Sequence, residues 1–263
     1  MTRCPDDQMT QFMIRLSVNV NKVATLRNSR GGREPRILDA VARCLAAGAG
    51  GITVHPRADR RHITPEDVRE IASALGPRLP SIEYNIEGDP RPDLLALVLE
   101  VRPDQCTLVP VAPGEITSQA GWSAGPEAAR LPAVAHQLKS NGIRVSVFVE
   151  PRVDAVQLAS SLGADRVELY TEPFARAFER GADHARRSFE LYMEAARLAR
   201  SLGLGVNAGH DLDLNNLMLF RELPHLDEVS IGHAIISRAL FAGLERVVRE
   251  YLAVLRAGVG VNV

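Results

Sequence analysis

Eight short runs rich in β-branched residues recur along the chain, each followed by a polar loop and then a helical pattern. They are Leu16 to Val20, Ile52 to Val54, Ser81 to Ile86, Cys106 to Val109, Val145 to Val149, Val167 to Leu169, Leu204 to Val206 and Val229 to Ile231. Strands alternating with helices at roughly 20 to 40 residue intervals form parallel sheets, and eight of them are what a closed (β/α)8 TIM barrel needs. An open doubly wound sheet uses the same alternation, but no Gly-x-Gly-x-x-Gly follows the first run, which counts against a dinucleotide fold.

The helical segments carry start and stop signals. Thr64-Pro65-Glu66-Asp67 supplies an N-cap, a proline in the first turn and acidic groups at the positive end of the helix dipole. Ile37, Leu38, Val41 and Leu45 form a stripe that stops at Gly48. Further stripes run through Leu94 to Val101, Leu131 to Leu138, Val153 to Leu162, Ser188 to Leu202 and Leu244 to Leu255. No linker divides the chain, so one barrel domain over residues 13–263 is expected, with residues 1–12 as a polar tail.

Charge narrows the function classes. Net charge is −1 with 31 basic residues, which argues against a general nucleic-acid or membrane surface and favours small-molecule chemistry. Lys22 and Lys139 are the only lysines, so the cations are almost all arginine, a side chain suited to bidentate phosphate binding. Cys4, Cys44 and Cys106 have no metal spacing and form an odd set, which fits a reducing, cytoplasmic setting. No apolar run approaches the roughly 18 residues that span a bilayer.

In a barrel, every loop after a strand lies on one rim, where sites of this fold are built. The first strand brings Asn19, Asn21 and Lys22 there, with Arg27 and Arg30 close behind; the second brings His55, Arg57 and His62. Glu83 and Glu87 come from the third, Glu168 from the sixth, Asn207, His210 and Asp211 from the seventh, Gly232 and His233 from the eighth. Four of the seven histidines thus converge, while His136, His184 and His225 fall in helical or connecting segments. Ser81, Glu83 and Asn85 alternate onto the inward face, so Glu83 is expected to form a proton-transfer pair with a histidine; the alternative is an interior salt bridge to an arginine. Gly232 before a short helix suits phosphate on free backbone N–H groups. The stretch from Val111 to Pro126, with Thr117 and Trp122, is long and aperiodic, as a lid would be. No histidines stand three or four residues apart on one helix face, so no catalytic metal is expected.

Asn19-Val-Asn-Lys-Val-Ala-Thr-Leu-Arg-Asn-Ser-Arg-Gly31, Gly51-Ile-Thr-Val-His-Pro-Arg-Ala-Asp-Arg-Arg-His-Ile63, Val206-Asn-Ala-Gly-His210 and Ile231-Gly-His-Ala-Ile-Ile236 together resemble the pyridoxine 5′-phosphate synthase family, in order from about Arg15 to Arg256. The resemblance implies a barrel with extra helices, an octamer, and no metal or organic cofactor. It implies condensation of 1-deoxy-D-xylulose 5-phosphate with 3-amino-2-oxopropyl phosphate to pyridoxine 5′-phosphate, phosphate and water. By position it makes His55, Glu83 and His210 the proton carriers. Asn19, Arg30, Asp211, Gly232 and His233 would hold the amino-oxopropyl phosphate; Arg57, His62 and Thr117 would hold the pentulose phosphate. The best-known members have Asp-His where this chain has Asn21-Lys22, and a glycine at Asp211, so only the backbone contact of Asp211 carries over. Glu87 is a second candidate carboxylate on the third strand. The rival readings are a Schiff-base aldolase using Lys22 and a barrel that binds phosphorylated metabolites without turnover.

Overall fold

The computed structural model describes residues 14–76, 81–111 and 118–257; the expected tail and Thr117 lie outside them. The chain runs β1 (Arg15–Asn19), α1 (Asn21–Asn28), α2 (Ile37–Ala46), β2 (Gly51–Val54), α3 (Pro65–Leu75), β3 (Glu83–Gly88), α4 (Pro92–Val101) and β4 (Gln105–Leu108). A 3-10 turn over Pro126–Arg130 leads into α5 (Leu131–Ser140), β5 (Arg144–Val149), α6 (Val153–Ser161), β6 (Arg166–Tyr170), α7 (Glu172–Glu179) and α8 (Ala182–Ser201). The last elements are β7 (Gly205–Gly209), α9 (Leu217–Phe220), β8 (Leu226–Ile231), α10 (His233–Ala242) and α11 (Leu244–Ala257). Each strand pairs in parallel with its sequence neighbours and β1 closes onto β8, a single (β/α)8 barrel with additional helices.

Alternation along the strands sorts residues between two environments. Outward positions such as Leu16, Val18, Ile52, Val54, Ile86, Leu108, Val145, Val147, Val167, Leu169, Val206 and Val229 are buried beneath the helices, and the apolar core lies in that shell. Interiors of this fold are ordinarily filled by branched apolar side chains. Here the inward face is polar: Ser17, Thr53, Asn85, Gln105, Thr107, Ser146, Asn207 and Ser230 are all buried. Buried polar groups need partners, and several of these supply one another, while Ser146 Oγ has no partner among the described residues. Ser17 Oγ lies 2.7 Å from Thr53 Oγ1, Thr107 Oγ1 donates to Asn85 Oδ1 at 3.0 Å, and Asn207 Nδ2 donates to Glu228 Oε1 at 3.4 Å.

The barrel floor is ionic. Glu83 begins β3, opposite Gly51 at the start of β2, and its carboxylate takes Arg15 Nη1 at 2.5 Å, Arg144 Nη1 at 2.7 Å and Arg166 Nη1 at 3.5 Å. Glu83, expected beside a histidine, is therefore placed at the amino-terminal end of the barrel, in the interior salt bridge that was the alternative. The cause is the strand frame: expected over Ser81 to Ile86, β3 instead covers Glu83 to Gly88. Ser81 is left exposed, and each later residue sits two positions nearer the floor than anticipated.

A second device repeats around the same end. Asp104 Oδ2 accepts from Tyr84 N, Asp165 Oδ2 from Val145 N and Asp227 Oδ2 from Val206 N, so β4, β6 and β8 are each latched to the strand before them. The corresponding place before β2 is Gly50, where a Cβ would meet Arg15 Cγ at 2.8 Å; the stem of Arg15 reaching for Glu83 fills it.

The local signals at α3 hold. Thr64 Oγ1 accepts from Asp67 N at 3.2 Å while Asp67 Oδ2 accepts from Thr64 N at 2.8 Å, a capping box with proline in the first turn. Replacing Glu83 by alanine leaves three guanidiniums without their shared counter-ion, so Glu83→Ala is expected to cost about 3 kcal/mol or more. Urea denaturation reads this directly, and a loss below about 1 kcal/mol would show that the floor does not depend on the pair network.

Candidate active site

The rim is assembled from β1, β2, β3, β6, β7 and β8. Asn21, where α1 begins, uses its side-chain oxygen to accept from His55 N at 2.9 Å, and Asn19 Oδ1 accepts from Asn21 N at 3.0 Å. The amide at Asn21 thus fixes the loop that presents His55. An aspartate carboxylate would accept the same bond, so the Asn-Lys version keeps this contact. Lys22 is exposed and its charge bears on His62.

The loop after β2 is held from outside. Arg27 forks onto Asp67, with Nη1 to Oδ1 at 2.5 Å and Nη2 to Oδ2 at 2.8 Å, and Asn28 Nδ2 donates to His62 O at 2.8 Å. α1 is thereby tied to the entrance of α3 and to the backbone of His62. Arg91 Nη2 donates to Pro56 O at 2.8 Å, closing the loop from the side of α4. His55, Arg57 and His62 are all buried, and the two imidazoles meet edge to face with centroids 6.3 Å apart. Arg61 pairs with Asp59 and Arg60 is exposed, so neither is turned into the mouth.

His55 Nδ1 lies 3.9 Å from Glu87 Oε2, which also faces Asn19 Nδ2 at 3.5 Å. The structure therefore brings Glu87, not Glu83, to His55. The sequence signal was available: Glu83, Asn85 and Glu87 share the inward face, and Gly88-Asp89-Pro90 marks the strand's end, so Glu87 is the inward carboxylate nearest the rim.

Burial sets the protonation of this pair. It drives the imidazole of His55 down to about 3, aided by the charges of His62, Arg57 and Arg91, and that of His62 down to about 4, aided by Arg57 and Lys22. Glu87 is raised well above the ordinary carboxylate value by burial and by Glu168 and Glu228. Burial thus favours the neutral imidazole at His55 and the protonated carboxyl at Glu87. His55 Nε2 and His62 Nδ1 have no hydrogen-bond partner among the described residues.

Across the mouth stand Glu168 and His210. Burial pushes Glu168 up to about 7, with the charge of His210 and a hydrogen bond shared with Thr107 opposing the rise. Gly209 is required beside it, since a Cβ there would lie 2.4 Å from Glu168 Oε1. His210 packs edge-on against Tyr170 at 5.2 Å, and Tyr170 joins Val109 and Phe148 in a small apolar wall. No residue of that wall was singled out from sequence. Gly232 turns β8 into α10 close against β1, where a Cβ would meet Asn19 O at 2.9 Å; His233 opens the helix and is exposed. Arg30 is exposed on the turn after α1. Of the segment expected as a lid, Gly121 and Trp122 are clamped over β5: Trp122 N donates to Phe148 O at 2.8 Å and its indole to Leu108 O at 3.0 Å. Among the described residues no three His, Cys, Asp or Glu side chains converge to hold a metal ion.

A closed (β/α)8 barrel with acid–base side chains gathered at the carboxyl ends of its strands is built as a barrel enzyme. Residues 16–257 match the family described as pyridoxal phosphate biosynthesis protein PdxJ, and the chain belongs to that family. A pyridoxine 5′-phosphate synthase from Bacteroides thetaiotaomicron is 51% identical over 245 residues, 93% of this chain and 100% of the relative. One of the same name from Leptospira biflexa is 49% identical over 256 residues, 94% of this chain and 98% of the relative. Among solved structures, thiamine phosphate pyrophosphorylase from Pyrococcus furiosus superposes with a TM-score of 0.60 at 14% identity, covering 94% of this chain and 98% of that one. Phosphoribosyl anthranilate isomerase from Thermotoga maritima gives 0.59 at 12% identity, covering 93% and 100%. At such identities the likeness is one of fold.

Glu228, inward on β8, offers a test of the polar interior. Burial and then Glu83 push it from the ordinary 4.5 up to about 8, against Arg166 and Arg15. The native state therefore holds an extra proton between those limits, and stability falls as pH rises through them. Glu228→Gln removes this loss, so its stability advantage over the parent is expected to widen from about pH 5 to about pH 8. Urea midpoints at the two pH values decide it; a constant or narrowing gap would contradict the assignment.

Proposed function

We propose that this chain is a pyridoxine 5′-phosphate synthase, condensing 1-deoxy-D-xylulose 5-phosphate with 3-amino-2-oxopropyl phosphate to give pyridoxine 5′-phosphate, phosphate and water. The observation that carries the reading is the family match over residues 16–257, a range that runs from β1 through β8, with relatives of that name about half identical over nearly the whole chain. The rim geometry supports it. Imine formation between the substrates, enolisation, elimination and dehydration each move a proton, and the mouth offers several carriers in both states.

In this reading neutral His55 takes a proton and neutral Glu87 gives one, while His210 and Glu168 serve the opposite side of the forming ring. Glu83 is left to the floor. Arg57 and His62, with Thr117, hold the pentulose phosphate, and Lys22 adds positive charge beside them. Asn19, Arg30, the backbone of Asp211 and the Gly232-His233 turn hold the amino-oxopropyl phosphate. The open nitrogens of His55 and His62 are then met by substrate. The expected octamer and cytoplasmic setting belong to the same proposal. Phe241, 94% exposed, and Leu240 on α10 lie near α1 with its exposed Leu26, an apolar face of the kind that subunit contacts cover. No helix among the described residues is long and apolar enough to cross a membrane.

Purified protein incubated with both substrates should release pyridoxine 5′-phosphate. His55→Asn and Glu87→Gln should each lower kcat by about 100-fold or more while both phosphates still bind, because each removes a proton carrier and no anion contact. Turnover near the parent's in Glu87→Gln, with loss in Glu83→Gln at unchanged stability, would return the proton-transfer role to Glu83.

A further inference from the structure

His210 and Asp211 close β7 in an unusual way. Both are non-glycine residues with left-handed backbone, φ 88° at His210 and 59° at Asp211. Such conformations persist where the surroundings fix them, and here they do so from two sides. Thr171 Oγ1 donates to Gly209 O at 2.7 Å and also contacts His210 O, while Asn216, buried, donates from Nδ2 to Asp211 O at 3.0 Å. Asn216 is itself locked by Asp213, whose carboxylate accepts from Asn216 N and whose N–H meets Asn216 Oδ1. The turn so held places the Asp211 carboxylate 2.9 Å from His210 Nδ1.

We propose that Asp211 is a positioning residue for His210: its carboxylate accepts the Nδ1 proton and fixes the tautomer and ring orientation in which Nε2 exchanges protons with substrate. The side chain thus has a task beyond the backbone contact to substrate assigned to this position, and the proposal rests on His210 being a proton carrier.

Two further observations support it. The bond to His210 holds the Asp211 carboxyl below the usual range, with the charges of Arg176 and His233 helping, so it is an anion when it accepts. The ring also packs edge-on against Tyr170, centroids 5.2 Å apart, a second contact that favours one orientation. The charged neighbours on the surrounding elements are Glu168 on β6, Arg176 with its partner Glu172 on α7, and His233 on α10. Among these, Asp211 supplies the hydrogen bond to Nδ1. A neutral imidazole that donates from Nδ1 to a carboxylate has its lone pair at Nε2 and becomes an acid there once protonated.

The test uses full-length enzyme labelled with 15N at histidine, His210 being assigned by the signals lost in His210→Gln. Asp211→Gly removes the carboxylate and suits the left-handed backbone better than any other residue, so folding is not at issue; Asp211→Asn, also tolerant of that conformation, keeps the size. In the parent, neutral His210 should show the Nδ1–H tautomer. In Asp211→Gly it should move toward Nε2–H, with kcat reduced about ten-fold or more and KM within about two-fold, and Asp211→Asn should lose turnover as well. An unchanged tautomer and unchanged kcat in Asp211→Gly, with His210→Gln inactive, would overturn the proposal alone. Parent-like turnover in His210→Gln would instead overturn the reading on which it rests.

Discussion

Three guanidiniums close on the carboxylate of Glu83, and the barrel depends on that contact more than on any other. β3 shares ladders with β2 and β4, yet through Glu83 it is also joined to β1, β5 and β6. Strands across a barrel are normally held apart at the right distance by interlocked apolar side chains. Here that filling is polar, and ionic cross-braces take its place. Their desolvation cost is moderated because the arginines keep part of their surface in water, Arg15 at 35% and Arg144 at 30% side-chain exposure, while Glu83 is at 6%.

The order of strands and helices was legible because it rests on local periodicity: apolar outward positions repeat every second residue, and the Thr64 capping box lies within four residues of chain. Depth along the barrel axis was not. A period of two tells which face Glu83 occupies but not how far from the rim it sits, since depth follows from pairing with Gly51, which is distant in sequence. Hence the inward direction of Glu83 and Asn85 was right and the neighbour of His55 was Glu87. α1 was invisible for a related reason. Its sequence has no apolar stripe, and it is held by the fork of Arg27 on Asp67 and the bond from Asn28 to His62 O, both made to a distant loop. The convergence of His55, Arg57 and His62 was readable, as all three follow one strand.

The same burial acts in opposite directions on the two sides of the rim's chemistry. It lowers the imidazoles of His55 and His62 and raises the carboxyls of Glu87 and Glu168, so it favours the uncharged form of bases and acids alike. A cluster of like carboxyls is tolerable in that state where a cluster of carboxylates would not be. Arginine and lysine then supply the positive charge of the mouth, which suits anionic partners, and Asp211 beside His210 is the carboxylate held ionised there.

The aspartate latches at the floor span 20, 20 and 21 residues of chain, whereas the braces on Glu83 span 61 to 83. Short loops close at small entropic cost and long ones at greater cost. β3 with β4, β5 with β6, and β7 with β8 can therefore each be fastened as a local pair, before the ring exists. The first pair lacks a latch because Arg15 occupies its place. The chain thus divides into three self-fastened quarters and one, β1 with β2, whose brace runs from Arg15 to Glu83 on the adjoining strand, so that its order waits on β3.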